Sequence, residues 1–380
     1  MESAPTILFY VQHLLGVGHL RRTLAIAEAC ADRGVEVHVV SGGMPLEETH
    51  SPRIDFHQLP PVRAADGDFS RLLQGDGTPV DDRWRSNRKE QLSQLAQRIQ
   101  PRILVTELYP FGRRQLRFEI VPLLDCVRAL RGRVVCSVRD VVQKREALRE
   151  QETVDILNGY YDDVLVHGDS DFLPLQASFS QTEKIRCNLH YTGLVSTGNQ
   201  GPAGHIEEGE VIVSAGGGAV GTMLYQTAVR AADQDCVRHL EWRILVGSQA
   251  QGGLRERLRD EAPANVRIEA NRPDFLHLLE YARLSVSQAG YNSVVDILVS
   301  GVPALLVPFQ GDGSETEQVM RARRLKQMGR ADFIEEAELY PEGLARAAAR
   351  LAGPAPWRLS SRPCDGARLS ADQIVGWVNQ

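Results

Sequence analysis

Apolar positions along this chain alternate between two periods. Residues 6–11 (Thr6, Ile7, Leu8, Phe9, Tyr10, Val11) form a continuous apolar, β-branched and aromatic run, the pattern of a strand buried on both faces. Gly16 and Gly18 follow, and then Leu20, Leu24, Ala27 and Ala31 fall at helical spacing. Gly34 is placed to end that helix, and residues 35–40 supply the next strand. Strand, glycine turn, helix, strand is a βαβ unit. The order recurs at mid-chain, where residues 211–214 run into Gly216, Gly217 and Gly218, a helical stretch over about 221–232 and an apolar run at 242–246. This repetition predicts an α/β fold of two Rossmann-like domains with parallel sheets.

Residues 197–208 are rich in turn formers, including Gly198, Asn199, Gly201, Pro202 and Gly204, and lack an apolar period, so they read as a linker. The division is an N-terminal domain over 1–196, a C-terminal domain over 209–353, and a tail over 354–380. The tail resumes helical spacing at Ile374, Val375 and Trp377 and is expected to pack back onto the body. A ligand cleft between the domains is the corresponding expectation. Residues 63–85 are polar, with Gly67, Gly75, Gly77 and Pro79, and predict a long mobile loop over one face.

Composition narrows the partners. A length of 380 residues suits two cores, and a hydrophobic share of 43% is ordinary for a globular chain. Net charge of −6 offers no basic excess for a polyanion, so nucleic acid is not expected as a partner. The six cysteines form no CxxC pair, and neither a signal peptide nor a long apolar span is visible. The reading is a reduced, cytoplasmic protein, with a peripheral membrane contact still open to it.

The segment richest in chemistry is Gln288, Ala289, Gly290, Tyr291, Asn292, Ser293, with Asp296 three residues on and Gly301, Val302, Pro303 beyond. It follows the apolar run 284–287, so Gly290 to Ser293 falls at the carboxyl end of a strand and the start of a helix. Open α/β sheets bind ligands at that position, and the helix dipole with its free N–H groups favours an anion there. A small polar pair with an acid one turn later suits a phosphate and a ribose hydroxyl together. Gly216, Gly217 and Gly218 would form a second phosphate-side loop, where a missing Cβ lets backbone N–H groups approach. A glycine run alone is as often a tight turn with no ligand.

These residues resemble the GT-B glycosyltransferases, especially the branch holding the peptidoglycan lipid-intermediate N-acetylglucosaminyl transferase and the UDP-dependent small-molecule glycosyltransferases. The resemblance covers nearly the whole chain in architecture. It is sharpest at Gly16-Val17-Gly18-His19 and over residues 288–318. It implies that Gly18, Gly290, Asn292 and Ser293 lie on the donor side, that Asp296 binds ribose hydroxyls, and that Glu317 and Gln318 approach the sugar. The loop Asn271-Arg272-Pro273 falls where the family reads the base, and uracil is implied by analogy. Gln288 stands where the small-molecule enzymes carry His, so it can donate a hydrogen bond without bringing charge. Asp296 is one methylene shorter than the usual Glu.

Sugar transfer also needs an acceptor hydroxyl to lose its proton. His19, at a helix start directly after the glycine turn and with an ordinary pKa near 6.5, is the candidate base. Glu107, at the end of the apolar run 103–106, is the candidate acid to hold the other ring nitrogen. The bland readings are a buried or capping histidine and a surface or capping acid. Arg22 is a candidate anion contact, and Trp84 and residues 109–114 are candidate acceptor contacts. Asp169-Ser170-Asp171 and Asp66-Gly67-Asp68 spell DxD, but a turn or cap explains the first, and no His or Cys cluster has zinc spacing. An inverting, metal-independent glycosyltransferase using a nucleotide-diphosphate sugar, with no bound cofactor, is the expectation. A nucleotide-sugar hydrolase of the same fold and a non-catalytic nucleotide-sugar binder stand as alternatives.

Overall fold

The computed structural model describes residues 5–378 apart from 15, 46–50, 66–67, 199–203, 217–219, 248–249, 312, 314 and 354–359. By contact the chain divides into two units, Met1–Val195 with Asp365–Gln380, and Ser196–Cys364.

The first unit carries β1 (Thr6–Val11), α1 (Gly18–Ala31), β2 (Glu36–Ser41), β3 (Asp55–Gln58), β4 (Val62–Ala65), β5 (Asp68–Gln74), α2 (Asp82–Ile99), β6 (Ile103–Glu107), α3 (Arg117–Ala129), β7 (Arg133–Arg139), α4 (Ala147–Tyr160), β8 (Asp163–His167) and β9 (Asn188–Tyr191). Seven strands form one sheet in the order β3-β2-β1-β6-β7-β8-β9, every pair parallel. The order reverses direction between β1 and β6. Along β1, residues Ile7, Phe9 and Val11 face one core, while Leu8 and Tyr10 face the other. This two-sided burial is why the strand reads as an unbroken apolar run.

The second unit holds β10 (Val211–Ser214), α5 (Thr222–Ala232), β11 (Trp242–Val246), α6 (Leu254–Glu261), β12 (Val266–Ala270), α7 (Phe275–Tyr281), β13 (Leu284–Ser287), α8 (Tyr291–Ser300), β14 (Ala304–Leu306), α9 (Glu317–Gln327), β15 (Asp332–Phe333) and α10 (Pro341–Leu351). Its six-stranded parallel sheet runs β12-β11-β10-β13-β14-β15 and switches direction between β10 and β13. The last helix, α11 (Gly366–Val378), returns to the first unit. There Ile374 and Trp377 join Leu20, Ile26 and Ala27 of α1 in one core, and Arg33 holds Asp372 at 2.5 Å.

Two sequence expectations are corrected. The stretch 63–85 is not a long loop: β4 and β5 pair antiparallel, and α2 begins at Asp82. Asp81 caps that helix by accepting from the Trp84 amide at 2.7 Å. Glycines at the turn and polar outward positions hid the alternation that buries Val62 and Ala64. Trp84, expected at an acceptor surface, is buried, with the Arg88 guanidinium 5.1 Å from its ring centre. Part of the expected linker, 199–203, and Asp66 and Gly67 of the second DxD lie outside the described residues. Gly204 lies at the start of the second unit's body, its amide donating to Asp274 at 2.6 Å.

The first unit is braced by a fully buried ion pair. Arg88 of α2 donates to both Glu119 oxygens of α3, at 2.6 and 2.9 Å, and Tyr10 of β1 donates to the same carboxylate. The remaining Arg88 donors reach Gln12 Oε1 at 2.6 Å and the carbonyls of Gly42 at 3.0 Å and Pro60 at 2.5 Å. Breaking such a pair from one side strands a charge. Arg88→Met is therefore expected to cost about 3–5 kcal/mol in urea unfolding, and Arg88→Met with Glu119→Leu to cost less than Arg88→Met alone.

Candidate functional site

The first constellation lies where the first sheet reverses direction. β1 feeds the turn at Gly16 and Val17, and α1 starts at Gly18, so His19 occupies the first turn of that helix. β6, the neighbouring strand on the other side of the switch, ends on Glu107. The structure brings the two together: His19 Nδ1 lies 2.8 Å from Glu107 Oε1. Glu107 is buried, which removes the surface and capping readings, while the His19 side chain keeps 16% of its exposure.

Proton positions follow from acceptor chemistry. An ionised carboxylate only accepts, so Nδ1 of His19 carries the hydrogen toward Glu107 and Nε2 keeps its lone pair. Nε2 has no hydrogen-bond partner among the described residues. Arg22, one helical turn after His19, also donates to Glu107 Oε1 and lies 3.2 Å from His19 Nδ1. Arg22 was expected to meet a ligand anion. The anion it meets is Glu107, because α1 turns its side chain inward, and it is 2% exposed.

A second row of residues, absent from the sequence reading, supports the carboxylate from behind. Ser137 near the end of β7 donates to Glu107 Oε2 at 2.5 Å. His167, the last residue of β8, lies with Nε2 2.8 Å from Ser137 Oγ, and Thr192 Oγ1 lies 3.0 Å from His167 Nδ1. Since the single serine proton goes to Glu107, the chain of donation runs Thr192 to His167 to Ser137 to Glu107. Three neighbouring strands thus aim polar groups at one buried charge. No spacing in the sequence links these positions; only the strand order β6-β7-β8-β9 does.

The electrostatics follow from burial against charge. Burial works to raise the Glu107 pKa, but the Arg22 guanidinium and the His19 hydrogen bond outweigh it and hold the carboxyl well below the usual range. His19 is pushed down to about 3, mainly by burial and with help from Arg113 and Arg22, against the Glu107 hydrogen bond. Burial likewise lowers His167 to about 3. Burial therefore replaces the ordinary pKa expected for His19 with one of about 3.

The loop after Glu107 is unusual in backbone as well as charge. Leu108 and Arg113 both have positive φ, at 67° and 62°, a region that side chains seldom adopt and that clusters at functional sites. Arg113 Nε donates to the Gln12 carbonyl at 2.7 Å, just past the end of β1. Arg114 turns to Glu152 of α4 at 2.8 Å, and Tyr109 is buried. Asp169 accepts from the Asp171 amide at 2.8 Å, the turn that the sequence suggested for that DxD.

The second constellation lies at the switch point of the other sheet. Ser214 and Ser287 end adjacent strands β10 and β13, and the Gln288 amide donates to the Ser214 carbonyl at 3.2 Å. Gly290 is the N-cap of α8, with φ −63° and ψ 154° and no side-chain cap, and open space lies where its Cβ would be. Val294 is the residue whose amide returns to the Gly290 carbonyl. The amides of Tyr291, Asn292 and Ser293 therefore precede the helix's own ladder, at the positive end of its dipole. Asn292, Ser293 and Asp296 are half-buried and Gln288 is buried. Gly216 turns at φ +74° beside them, tied by Asn271 Nδ2 to its carbonyl at 3.2 Å, while Gly217 and Gly218 lie outside the described residues.

Other donor-side residues are committed within the unit. Arg272 makes two hydrogen bonds to Asp274, at 2.9 and 2.6 Å, and one to the His205 carbonyl at 3.0 Å, so its guanidinium braces residues 204–205 against the start of α7. Gln318 Oε1 accepts from the Phe309 amide at 3.0 Å and fixes the loop after β14. Glu317 is buried 3.8 Å from Arg321.

Residues 211–362 match the glycosyltransferase family 28 C-terminal domain. The UDP-N-acetylglucosamine--N-acetylmuramyl-(pentapeptide) pyrophosphoryl-undecaprenol N-acetylglucosamine transferase of Clostridium novyi (strain NT) is 28% identical over 126 residues, 33% of this chain and 34% of that protein. The protein of the same name from Brucella anthropi is 32% identical over 168 residues, 41% of this chain and 44% of that protein. The chain thus spans less than half the length of these relatives. Among solved structures, the calicheamicin glycosyltransferase CalG4 superposes with a TM-score of 0.65 at 16% identity, covering 100% of this chain and 99% of that one. MurG of Acinetobacter baumannii gives 0.58 at 14% identity, covering 98% and 99%. The chain therefore has the GT-B fold, and residues 211–362 match the glycosyltransferase family 28 C-terminal domain.

Proposed function

We propose that this chain is a glycosyltransferase that moves a sugar from a nucleotide-diphosphate donor, UDP-linked, to an acceptor nucleophile by a single inverting displacement. The observation that carries the reading is the His19–Glu107 pair at one switch point, 2.8 Å apart, together with an uncapped helix start at the other. In this reading the diphosphate meets the amides of Tyr291, Asn292 and Ser293 and the glycine loop from Gly216, Asp296 takes the ribose hydroxyls, and the backbone of 271–273 reads the base. The donor class is supported by the relatives, whose names specify UDP-N-acetylglucosamine. The same names include a pyrophosphoryl-undecaprenol acceptor, which supports action at the cytoplasmic membrane surface. No helix among the described residues is long and apolar enough to cross a membrane.

His19 acts as the base through Nε2. Glu107 supplies tautomer and orientation, and the imidazolium that forms on proton transfer faces a carboxylate already held ionised by Arg22 and Ser137. Burial weakens the ring's proton affinity and favours the neutral ring that a base needs when the acceptor arrives. Helix dipole and backbone N–H groups, not a cation, offset the charge on the leaving diphosphate.

Four outcomes test this. His19→Ala should cut turnover by about a hundred- to ten-thousand-fold while UDP binding by calorimetry stays within twofold; unchanged turnover removes His19 as base. In steady-state kinetics the acid limb of kcat/KM should show no His19-dependent step near pH 6.5, because a ring with a pKa of about 3 stays neutral until far lower pH. Turnover should also survive EDTA, and complete loss would refute metal independence. UDP release assayed with and without acceptors separates transfer from hydrolysis, and binding without release identifies a sensor.

A further inference from the structure

Away from the glycosyl-transfer residues, two neighbouring parallel strands each carry an acid and a histidine two residues apart: Glu36 and His38 on β2, Asp55 and His57 on β3. The spacing of two puts each pair on one face of its strand, and the register sets His38 directly beside Asp55. The four side chains converge. His38 Nε2 lies 3.0 Å from Glu36 Oε1, and His38 Nδ1 lies 3.0 Å from His57 Nε2 and 3.8 Å from Asp55 Oδ2. One ligand atom from each of Glu36, His38 and Asp55 lies within 4.8 Å of the other two.

We propose that this cluster is a binding site for a late first-row divalent cation of the zinc class, held by the Glu36 and Asp55 carboxylates and the His38 imidazole. The chemistry is specific in three ways. Two carboxylates and an imidazole supply the oxygen and nitrogen ligands that zinc takes, at about 2.0–2.2 Å each. The nitrogen of His38 that faces Glu36 is the one opposite His57, so His57 acts as the outer partner that fixes the ligating ring, the role usually filled by a carboxylate or carbonyl. The His38 and His57 rings stack with planes 24° apart, which holds that geometry.

Burial is graded as an entry path requires. The His38 side chain is 11% exposed, whereas Glu36 and Asp55 are 47% and 67% exposed, so the imidazole is a fixed anchor and the carboxylates can close over an arriving ion. Thr6 Oγ1, 3.5 Å from Glu36 Oε2, is the other neighbour. Sequence spacing hides the site because its ligands come in pairs from separate strands, with no His or Cys cluster in line.

The site is independent of the reaction. Glu36 opens β2 at the amino-terminal end of the sheet, whereas Glu107 closes β6 at the carboxyl-terminal end. A metal here ties the outermost strand β3 to β2, so its effect is on stability and not on turnover.

The test uses the untagged full chain, stripped with EDTA and titrated with Zn²⁺ and with Co²⁺. One equivalent should bind, the Co²⁺ visible spectrum should lack a thiolate charge-transfer band, and Zn²⁺ should raise Tm. Asp55→Asn, at an exposed position that the fold does not need, should weaken binding at least tenfold, as should His38→Gln. His57→Ala should weaken it by about 10–100-fold, the usual effect of losing an outer-shell partner. Absence of saturable binding, binding unchanged in Asp55→Asn, or a thiolate band placing the ion on a cysteine would each overturn the proposal.

Discussion

The first unit is organised around one buried negative charge. A carboxylate withdrawn from water costs several kcal/mol unless the protein replaces its hydration, and every neighbour of Glu107 does part of that work. Arg22 brings the opposite charge, Ser137 donates to one oxygen, and His19 donates to the other. Behind Ser137, His167 and Thr192 extend a line of donors that all point inward to the same site. Burial that would neutralise an isolated carboxyl therefore leaves this one ionised, and its ionisation fixes which nitrogen of His19 holds the proton.

That single constraint accounts for otherwise separate features. α1 must begin at the turn after β1 so that His19 and Arg22, one turn apart, reach the same oxygen. β6 must neighbour β1, which places Glu107 where the sheet order reverses. β7 and β8 must follow in order so that Ser137 and His167 lie behind it. Chain topology delivers each group without a loop having to carry it, and sites on rigid elements keep their geometry best. The left-handed backbone at Leu108 and Arg113 is the local strain that accompanies bringing the following loop across the same end of the sheet.

The second unit applies a different solution to a different charge. Arg272 is bound to Asp274, and the N-cap of α8 is a glycine with no capping side chain. What remains is a helix terminus with its first amides uncommitted to the ladder, beside a glycine turn at Gly216. At such a helix start the dipole and the first amides favour an external anion.

Much of this was legible in the sequence, because both βαβ openings announce themselves by period: residues 6–11 and 211–214 are buried on both faces, and the helices after them carry one apolar stripe. The pairing of His19 with Glu107 and the helix start at Gly290 were legible for the same reason, since strand ends and glycine turns are local signals. Sequence misread 63–85, where polar outward positions masked a hairpin and a capped helix, and it placed Trp84 at an acceptor surface when packing turned it inward. It could not reveal Ser137, His167 and Thr192, or the quartet on β2 and β3, because hydrogen bonds across strands depend on which strands lie side by side. Local period and turn chemistry are written in consecutive residues; strand order, burial and the pKa values that follow from them are decided only when distant segments meet.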